Sequence, residues 1–261
     1  MKLVISDKSK KDIFIALFQT LKNCTSIICI IFNDDHLYIQ GMDKSHICLF
    51  DVKLLNTWFN EYTKSNNDTD KICFDTQAFH NIISTKQDSH SINIQFDGNP
   101  DTLNINLITQ EGVKAAGEFN KYFKLPLVDF DYEVMSIPSV DYDAEFSITS
   151  KKISEITSQM LSFGDDINIK CTDDGINLVS EGTMGEMLVT IPIDDLTEYS
   201  IAEDDTIDLK YSLVYIHKMC ITNKLSAEIQ FCISKEFPMK IKYDLGDNNS
   251  MIVFYIAPKT A

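Results

Sequence analysis

The amino-acid sequence predicts an α+β protein with two similar domains. Short stretches in which apolar and polar residues alternate, the pattern of half-buried strands, dominate the chain. Only about two short segments in each half show the spacing of apolar residues that is typical of a helix. The order of strands, turns and helices then begins again after residue 138. Such a repeat is typical of a duplicated domain.

The composition is that of an acidic globular protein. A length of 261 residues suits one large or two medium domains, and 44% hydrophobic and 24% charged residues are ordinary values. No apolar run is long enough to span a bilayer, and the N-terminus lacks the apolar region of a signal peptide. Seven cysteines without paired metal-ligand spacing predict reduced thiols, an intracellular protein and no zinc site.

The net charge of −16 argues against an open nucleic-acid-binding surface. Phosphates are bound mainly by lysine and arginine, and a strongly negative field repels a polyanion. A DNA-binding role therefore requires basic groups that are gathered on one surface and shielded from the rest.

The first domain, residues 1–120, is predicted to be mostly strands. Residues 1–6 alternate as a strand, and Ser9 is the predicted cap of a helix with Ile13, Leu17 and Leu21 on its apolar face. Lys10 and Lys11 occupy its first turn, where the helix dipole disfavours cations, so either a solvated end or a phosphate-facing role fits them. The remaining predicted elements are strands over 25–32, 37–40 and the second half of 41–54, a loop over 62–70, a strand over 71–74, a helix over 76–85, a hairpin of 91–96 with 102–108, and a last strand over 113–120.

The strand in residues 41–54 is unusual because its second face is partly apolar. One face should pack on the core: Cys48, Phe50, Val52 and Leu54. On the other face Ile47 and Leu49 lie where a half-buried strand normally presents polar residues to water. Either the next element covers these two side chains, or they form a small apolar patch that is open to a partner.

Residues 121–138 differ from their surroundings. They contain Pro126 and Pro138, several acids and no steady apolar period, which predicts an extended interdomain linker. The second domain, residues 139–261, repeats the first, with Lys151 and Lys152 again in the first turn of a helix that starts at Ser150. Its other predicted elements are strands over 145–148, 206–209, 227–234, 239–244 and 251–257 and a helix over 213–220. Five apolar positions correspond at a constant offset: Leu37, Ile39, Leu49, Val52 and Leu54 with Ile176, Leu178, Leu188, Ile191 and Ile193.

No motif predicts enzymatic chemistry or a cofactor. Glycine-rich phosphate loops, zinc-protease motifs and nucleophile elbows are absent from the sequence, and the five histidines are dispersed. Five Asp-Asp pairs, including Asp173-Asp174, fall in predicted turns, where aspartate is favoured for its local hydrogen bonds. A metal-dependent nuclease that uses Asp173 and Asp174 is the alternative from a different class of function.

Four short motifs resemble those of a known family when they are taken together. They are M-D-K-S-H-I-C-L (42–49), S-I-P (136–138), F-P-M (237–239) and Y-I-A-P-K (255–259). In order and spacing they resemble the eukaryotic and archaeal sliding clamp, the proliferating cell nuclear antigen family, over nearly the whole chain. Divergence elsewhere indicates a distant member, with a virus among the sources to consider.

The resemblance implies a homotrimeric ring around duplex DNA. Short helices would line the hole, mostly antiparallel sheets would form the outside, and contacts would be to phosphates, independent of base sequence. The cationic helix positions of the family correspond here to Phe18, Asn81, Glu155 and Ser158. The lysines that would instead face DNA are Lys10, Lys11, Lys22, Lys86, Lys151, Lys152 and Lys218. The trimer contact would join residues 113–118 of one subunit to residues 178–183 of the next.

The resemblance also implies a pocket for client peptides, which carry a glutamine followed by an aliphatic residue and paired aromatic residues. The matching positions are Met42, His46, Ile47, Leu49, Met135, Ser136, Ile137, Pro238, Tyr255, Ala257 and Pro258. The implied clients are DNA polymerase, clamp loader, ligase and flap nuclease, with a location in the nucleus or, for a viral protein, in a viral replication compartment. A clamp-fold hub that binds peptides without encircling DNA is the nearest alternative.

Overall fold

A computed structural model describes residues 1–64, 71–99, 101–112, 117–131, 133–247 and 249–259. Within these residues the helices and strands form two series with the same order. Each series contains nine strands and two α-helices, with one helix after the first strand and the other after the sixth. This repeat confirms the predicted α+β fold with two similar halves.

The first series runs from the N-terminus to residue 126. Its elements are β1 (Lys2–Ile5), α1 (Lys8–Leu21), β2 (Ile27–Phe32), β3 (His36–Met42), β4 (Cys48–Leu55), β5 (Glu61–Thr63), β6 (Lys71–Asp75), α2 (Thr76–Ile83), β7 (His90–Gln95), β8 (Thr102–Thr109) and β9 (Lys121–Pro126). Strands β5, β1, β7, β8 and β9 are neighbours in that order and pair in antiparallel fashion. Strands β6, β2, β3 and β4 are neighbours in a second arrangement.

The second series repeats this topology. Its elements are β10 (Ala144–Thr149), α3 (Ser150–Met160), β11 (Asp166–Thr172), β12 (Gly175–Gly182), β13 (Gly185–Pro192), β14 (Glu198–Ile201), β15 (Ile207–Ser212), α4 (Leu213–Cys220), β16 (Glu228–Ile233), β17 (Met239–Asp244) and β18 (Met251–Ile256). The neighbouring strands β14, β10, β16, β17 and β18 correspond, in that order, to β5, β1, β7, β8 and β9 of the first series. Likewise β15, β11, β12 and β13 correspond to β6, β2, β3 and β4.

The chain packs as two compact units. The first contains Met1–Gly41, Asp51–Val134 and Leu245–Met251, and the second contains Met42–Phe50, Met135–Asp244 and Ile252–Ala261. The connection between β3 and β4 therefore belongs to the second unit, although the strands around it lie largely in the first. This assignment matters because the same connection carries several of the predicted site residues.

Aromatic side chains dominate the core of the first unit. Phe18 and Phe79 have ring centroids 4.4 Å apart, and Phe74 and Phe79 stack at 4.7 Å. Phe14 lies against Phe18 at 5.0 Å. Such pairs each contribute about 0.5–1.5 kcal/mol beyond the burial of their area. Helices α1 and α2 are thereby held on the sheet by their apolar faces.

The helix α1 begins two residues earlier than its predicted cap implies. Asp7 is the N-cap residue, and its side chain accepts a hydrogen bond from the Lys10 N–H at 2.9 Å. The prediction of Ser9 as the cap is wrong, because Ser9 lies inside the first turn. Aspartate and serine are both good caps, so the local sequence does not distinguish them.

The beginning of the predicted linker is a strand. Residues Lys121–Pro126 form β9, with Leu125 opposite Leu103 of β8. The prediction of irregular extended structure is therefore wrong for the first six residues of 121–138. Pro126 is compatible with the strand because it lies at the end of the outermost strand of its sheet. Of the last strand predicted over 113–120, residues 113–116 lie outside the described residues, and residues 117–120 are not in a strand.

Two cysteines do not fit the predicted reduced state. Cys29 of β2 lies opposite Cys73 of β6, and the two are joined by a disulfide. The expectation of seven thiols is thus wrong for this pair, because pairing of β2 with β6 brings together residues that are 44 positions apart. The other five cysteines are buried and lie outside disulfides. Among the described residues, no helix combines the length and the apolar character needed to cross a membrane.

Candidate functional site

Distant segments of the second unit converge on an open pocket of about 250 Å³. The first segment surrounds the β3–β4 connection, the second follows Val134, the third directly precedes β17, and the fourth comprises the end of β18 and Ala257. The lining residues are Met42, His46, Ile47, Leu49, Met135, Ser136, Ile137, Pro138, Val140, Tyr142, Phe237, Pro238, Tyr255 and Ala257. The structure therefore brings together every predicted pocket residue except Pro258, which follows Ala257 but is not part of the lining.

Four lining residues were not predicted: Pro138, Val140, Tyr142 and Phe237. Pro138 and Phe237 are members of the motifs S-I-P and F-P-M, so the motifs contained the signal. Val140 and Tyr142 alternate with polar residues just before β10, which is the period of an extended segment with one apolar face. Nothing local indicates which surface that face would contact.

The pocket presents apolar side chains that are only partly covered. Ile47 and Leu49 are half-buried, whereas Cys48 and Phe50 on the opposite face of β4 are completely buried. Met135 is 40% exposed and Phe237 is 37% exposed. A concave apolar surface with a few polar groups is the composition of a binding pocket.

A buried carboxylate shapes the wall formed by the β3–β4 connection. Asp43 is 6% exposed, and its Oδ1 accepts hydrogen bonds from the N–H groups of Ile47 at 2.8 Å and Cys48 at 2.7 Å. The connection also contains His46 at a φ of 56°, a left-handed conformation that is uncommon for residues other than glycine. The Nδ1 atom of His46 lies 3.0 Å from the sulfur of Met42. The backbone is thus held in a shape that places His46 and Ile47 on the pocket.

The C-terminal wall is fastened on both sides of Pro258. The N–H of Ala257 donates to the carbonyl of Ile47 at 3.1 Å, and the N–H of Lys259 donates to the carbonyl of Lys210 at 2.8 Å. The Lys259 ammonium also pairs with the carboxylate of Asp166. Burial would raise the pKa of Asp166, but hydrogen bonds from Lys259 and Lys210 outweigh it, and the pKa lies below its ordinary value.

The polar groups in the pocket are suited to hydrogen bonding at neutral pH. Burial raises the pKa of Tyr142 to about 12, with a smaller contribution from Tyr255. The phenol therefore stays protonated as a hydrogen-bond donor. The ammonium of Lys240 lies 5.3 Å from the centre of the Tyr142 ring, in the range of a cation–π contact.

The predicted DNA-facing lysines have very different environments. Lys151 and Lys152 of α3 are exposed, with ammonium groups 3.9 Å from Glu155 and 3.6 Å from Asp195. The Lys10 ammonium donates to the carbonyl of Trp58 at 2.7 Å. Lys22 and Lys218 are also partly covered. The Lys22 ammonium lies 3.3 Å from the Nδ1 of His80, and that of Lys218 lies 5.2 Å from the Tyr215 ring centre.

Two of the seven lysines do not fit the predicted role. Lys11 is 1% exposed, and its ammonium donates to the carbonyls of Asp88 at 2.8 Å and His90 at 2.5 Å. Burial lowers the pKa of Lys11. The Lys86 side chain is 8% exposed, and its ammonium is paired with Asp12 at 2.8 Å. Both positive charges are therefore used inside the first unit.

The predicted correspondence at Phe18 is also wrong. Phe18 is completely buried against Phe74 and Phe79, so it cannot be a surface position that replaces a cation. The α1 stripe of apolar residues contains Phe14, Leu17, Phe18 and Leu21, which explains why this helix has no room for a charge there.

The acidic pair of the nuclease alternative lies in a turn. Asp173 accepts a hydrogen bond from the N–H of Asp204 at 3.0 Å and lies between β11 and β12. Among the described residues, no group of three or more His, Cys, Asp or Glu side chains is arranged to hold a metal ion.

Strands β9 and β13 lie at the ends of their sheets, each with a neighbouring strand on one side only among the described residues. Tyr122 of β9 is 69% exposed, and Leu188 of β13 is 56% exposed. The edge of the second domain, predicted near residues 178–183, is formed by the neighbouring strand β13 instead, because β12 pairs with both β11 and β13. Of the opposite partner, residues 113–118, most lie outside the described part of the chain.

Comparison with known proteins gives a consistent result. Family models of the proliferating cell nuclear antigen match the chain over residues 7–134 for the N-terminal domain and 136–259 for the C-terminal domain. The proliferating cell nuclear antigen of Chaetomium thermophilum is 25% identical over 232 residues, which cover 87% of this chain and 86% of that protein. The protein of the same name from Saccharomyces cerevisiae is 24% identical over 253 residues, 95% of each chain.

The fold is shared with a solved clamp. The crystal structure of PCNA from Thermococcus kodakaraensis superimposes with a TM-score of 0.85 at 20% identity and covers 99% of both chains. The relatives named here come from cellular organisms, so the suggestion of a viral source has no support. Because the two family matches cover nearly the whole chain, this protein belongs to the proliferating cell nuclear antigen family and is a non-enzymatic sliding clamp that acts as a processivity factor in DNA replication.

Proposed function

We propose that three copies of this clamp form a ring around duplex DNA and that each copy holds replication and repair enzymes through the pocket. The observation that carries the proposal is the convergence of residues near positions 42–49, 135–142, 237–238 and 255–257 on one apolar concavity. A clamp is useful to an enzyme only when it carries such a docking point. The proposed clients are DNA polymerase, the clamp loader, ligase and flap nuclease.

The pocket suits the side chains of a short peptide motif. An aliphatic side chain and paired aromatic side chains would enter the apolar region between Leu49, Met135 and Tyr255. The segments on either side, residues 135–142 and 257–259, lie outside helices and strands, and a peptide could lie beside their backbone. Pro258 directly follows the lining residue Ala257, and we propose that it contacts the peptide at the rim of the pocket.

The ring would close through the two open sheet edges. An exposed edge strand offers unpaired backbone groups to a strand from another chain. Each copy presents β9 at one edge and β13 at another, so β9 of one copy can pair with β13 of the next in a head-to-tail contact. Head-to-tail contacts generate a ring when the rotation between copies closes.

The contacts with DNA would be made by lysines and phosphates. Lys151 and Lys152 are the strongest candidates because both are exposed on one helix, and Lys10, Lys22 and Lys218 are secondary candidates. Lys11 and Lys86 are withdrawn from the proposed set. Phosphate contacts position a protein on DNA without reading its sequence, as sliding requires.

The domain limits and the location are part of the same proposal. We keep residues 1–120 and 139–261 as the two clamp domains and 121–138 as the segment between them, with β9 as a strand inside that segment. The proposed location is the nucleus, because relatives from Chaetomium thermophilum and Saccharomyces cerevisiae are eukaryotic proteins.

A second candidate function is a peptide-binding hub that does not encircle DNA. It is favoured by the burial of Lys11, which removes one positive charge from the surface. It is also favoured by Glu155, which lies one turn after Lys151 and lowers the net positive charge of helix α3. Light scattering at micromolar concentration distinguishes the two candidates. A mass of three chains supports the ring, and a monomer supports the hub.

The decisive experiment is primer extension by a polymerase on a primed circular template, with a clamp loader and with or without this protein. A ring retained by topology should lengthen the products on the circle. The matched control is a linear template with free ends, from which a ring slides off, so that the products should stay short. Equal product lengths on the circle with and without the protein would contradict the proposal.

A further inference from the structure

We propose that Tyr215 of α4 is a positioning residue that holds the pocket loop, residues 43–47, in the shape that accepts a peptide. The inference rests on the proposed peptide-binding function and deepens it. Tyr215 is not among the residues that line the pocket, and none of the family motifs in the sequence contains it. Its role would be exerted through Asp43.

The Asp43 carboxylate is the centre of the pocket loop. Beyond the two N–H groups bound by Oδ1, its Oδ2 accepts from the N–H of Ser45 at 2.8 Å and from the hydroxyl of Tyr215 at 2.7 Å. The backbone of Asp43 is also paired, since its N–H donates to the carbonyl of Cys48 at 2.9 Å. The three N–H donors all belong to the loop or its end, so the Tyr215 hydroxyl is the donor that ties this carboxylate to another element.

The titration of Asp43 agrees with this geometry. Burial by itself would raise the pKa of the carboxyl, but the accepted hydrogen bonds, first that of the Cys48 N–H and then that of Tyr215, outweigh it. The pKa of Asp43 therefore lies below its ordinary value, and the carboxylate is charged at any pH at which the clamp would work. Hydrogen bonds to a charged acceptor are stronger than those between neutral groups.

Helix α4 is a rigid support for this contact. Its opposite face is buried in the second unit: Leu213, Ile216, Met219 and Cys220. The hydroxyl of Tyr243 donates to the carbonyl of Met219 at 3.1 Å, which fixes the last turn. Tyr215 therefore projects from a fixed helix, and it can hold the loop in place rather than move with it.

The loop needs such a hold because part of it is strained. His46 has a left-handed backbone conformation, which persists only where the surrounding contacts determine it. Without the Tyr215 hydroxyl, Asp43 would keep its bonds to the loop but lose its attachment to α4. The loop would then sample other positions, and His46 and Ile47 would line the pocket for only part of the time.

The rates of peptide binding distinguish a residue that holds the loop in position from a residue that contacts the peptide directly. When a binding-competent state is populated for a fraction of the time, the apparent affinity falls by that fraction. Tyr215→Phe should therefore weaken binding of a fluorescent peptide, with one glutamine, one aliphatic and two aromatic residues, by roughly fivefold, mainly through a slower association rate. Ile47→Ala removes a direct contact and should instead act mainly on dissociation.

Tyr199→Phe is the matched control. The Tyr199 hydroxyl also donates a hydrogen bond in the second unit, to the carbonyl of Thr172 at 2.6 Å, but it lies outside the pocket. This variant should bind the peptide within about twofold of the unchanged protein. Equal affinities of Tyr215→Phe and Tyr199→Phe would overturn the inference.

Amide hydrogen exchange supplies a second readout, which requires no peptide. In Tyr215→Phe the amides of Ile47 and Cys48 should exchange faster than in Tyr199→Phe, and unchanged exchange would overturn the inference. Failure of the unchanged clamp to bind the peptide would overturn the proposed function itself. Normal binding by the clamp together with normal binding by Tyr215→Phe would overturn only the role of Tyr215.

Discussion

At the scale of single residues, partial burial separates the pocket from the core. Ile47 directly precedes β4 and Phe50 lies inside it, yet Phe50 is completely buried and Ile47 is half-buried. The half-buried residues still have apolar area to lose on binding, and each square ångström of that area contributes about 25 cal/mol. The energy of peptide binding should therefore reside in Ile47, Leu49, Tyr255 and their neighbours.

Substitution of Ile47→Ala together with Tyr255→Ala should weaken peptide binding by at least about 2 kcal/mol, or roughly 30-fold in Kd, because anchor residues at the centre of an interface commonly cost this much. Isothermal titration with the peptide gives the value. Ile221→Ala is the control, since Ile221 is 44% exposed but lies outside the pocket. An unchanged Kd for the double variant would mean that the peptide binds elsewhere.

At the scale of elements, the first helices of the two halves, α1 and α3, differ in how their N-termini are capped. The side chain of Asp7 caps α1 through the Lys10 N–H, whereas Thr149, at the equivalent position before α3, makes no such bond. The first turns of both helices contain lysines and no acids, which the helix dipole disfavours. Helix α1 thus has a local compensation that α3 lacks.

Replacement of Asp7→Ala should therefore lower the free energy of unfolding by about 1 kcal/mol, the usual value for loss of a capping side chain. Urea unfolding, followed at one fixed protein concentration, measures the change. Thr149→Ala should have a much smaller effect, because no capping hydrogen bond is lost. Equal losses in the two variants would contradict the assignment of the Asp7 hydrogen bond as the cause.

At the scale of the whole molecule, the charge of −16 must be reconciled with DNA binding. Among the described residues, several lysines are already paired with acids or buried, which reduces the number that can neutralise phosphates. Lys151 and Lys152 on α3 are the clearest group available, because both are exposed and their ammonium groups lie 3.9 Å from Glu155 and 3.6 Å from Asp195. These ion pairs are looser than those of Lys2 and Lys235, at 2.6 Å and 2.8 Å. Retention on DNA would depend mainly on ring closure and only weakly on affinity.

The double variant Lys151→Glu with Lys152→Glu should bind short duplex DNA more weakly, and its affinity should depend less steeply on salt. Each lost phosphate contact should reduce the slope of log K against log salt concentration by about 0.9. Fluorescence anisotropy across a salt series measures this slope. Lys2→Glu with Lys235→Glu makes the same change of net charge at lysines paired with Glu61 and Asp205, and its slope should stay as in the unchanged protein.

Much of this architecture was accessible from patterns along the chain. The alternation of apolar residues predicted most strands, the turn sequences predicted the hairpin of β7 and β8, and the duplication predicted two similar halves. These features are local or periodic, so neighbouring residues contain the information. The motif resemblance then led to ten of the fourteen residues that line the pocket and missed Pro138, Val140, Tyr142 and Phe237.

Tertiary structure decided the features that depend on distant partners. Sheet pairing turned residues 121–126 into a strand and placed Cys29 opposite Cys73. Packing buried Lys11 and Phe18, two positions of α1 for which the resemblance implied a charged, DNA-facing surface. The hydroxyl of Tyr215 reaches Asp43 across 172 positions of sequence. The sequence by itself determined the order of the elements, because hydrophobic period and turn preference act between near neighbours. Only the folded chain decided which charges and hydroxyls remain available, because burial depends on what packs above each residue.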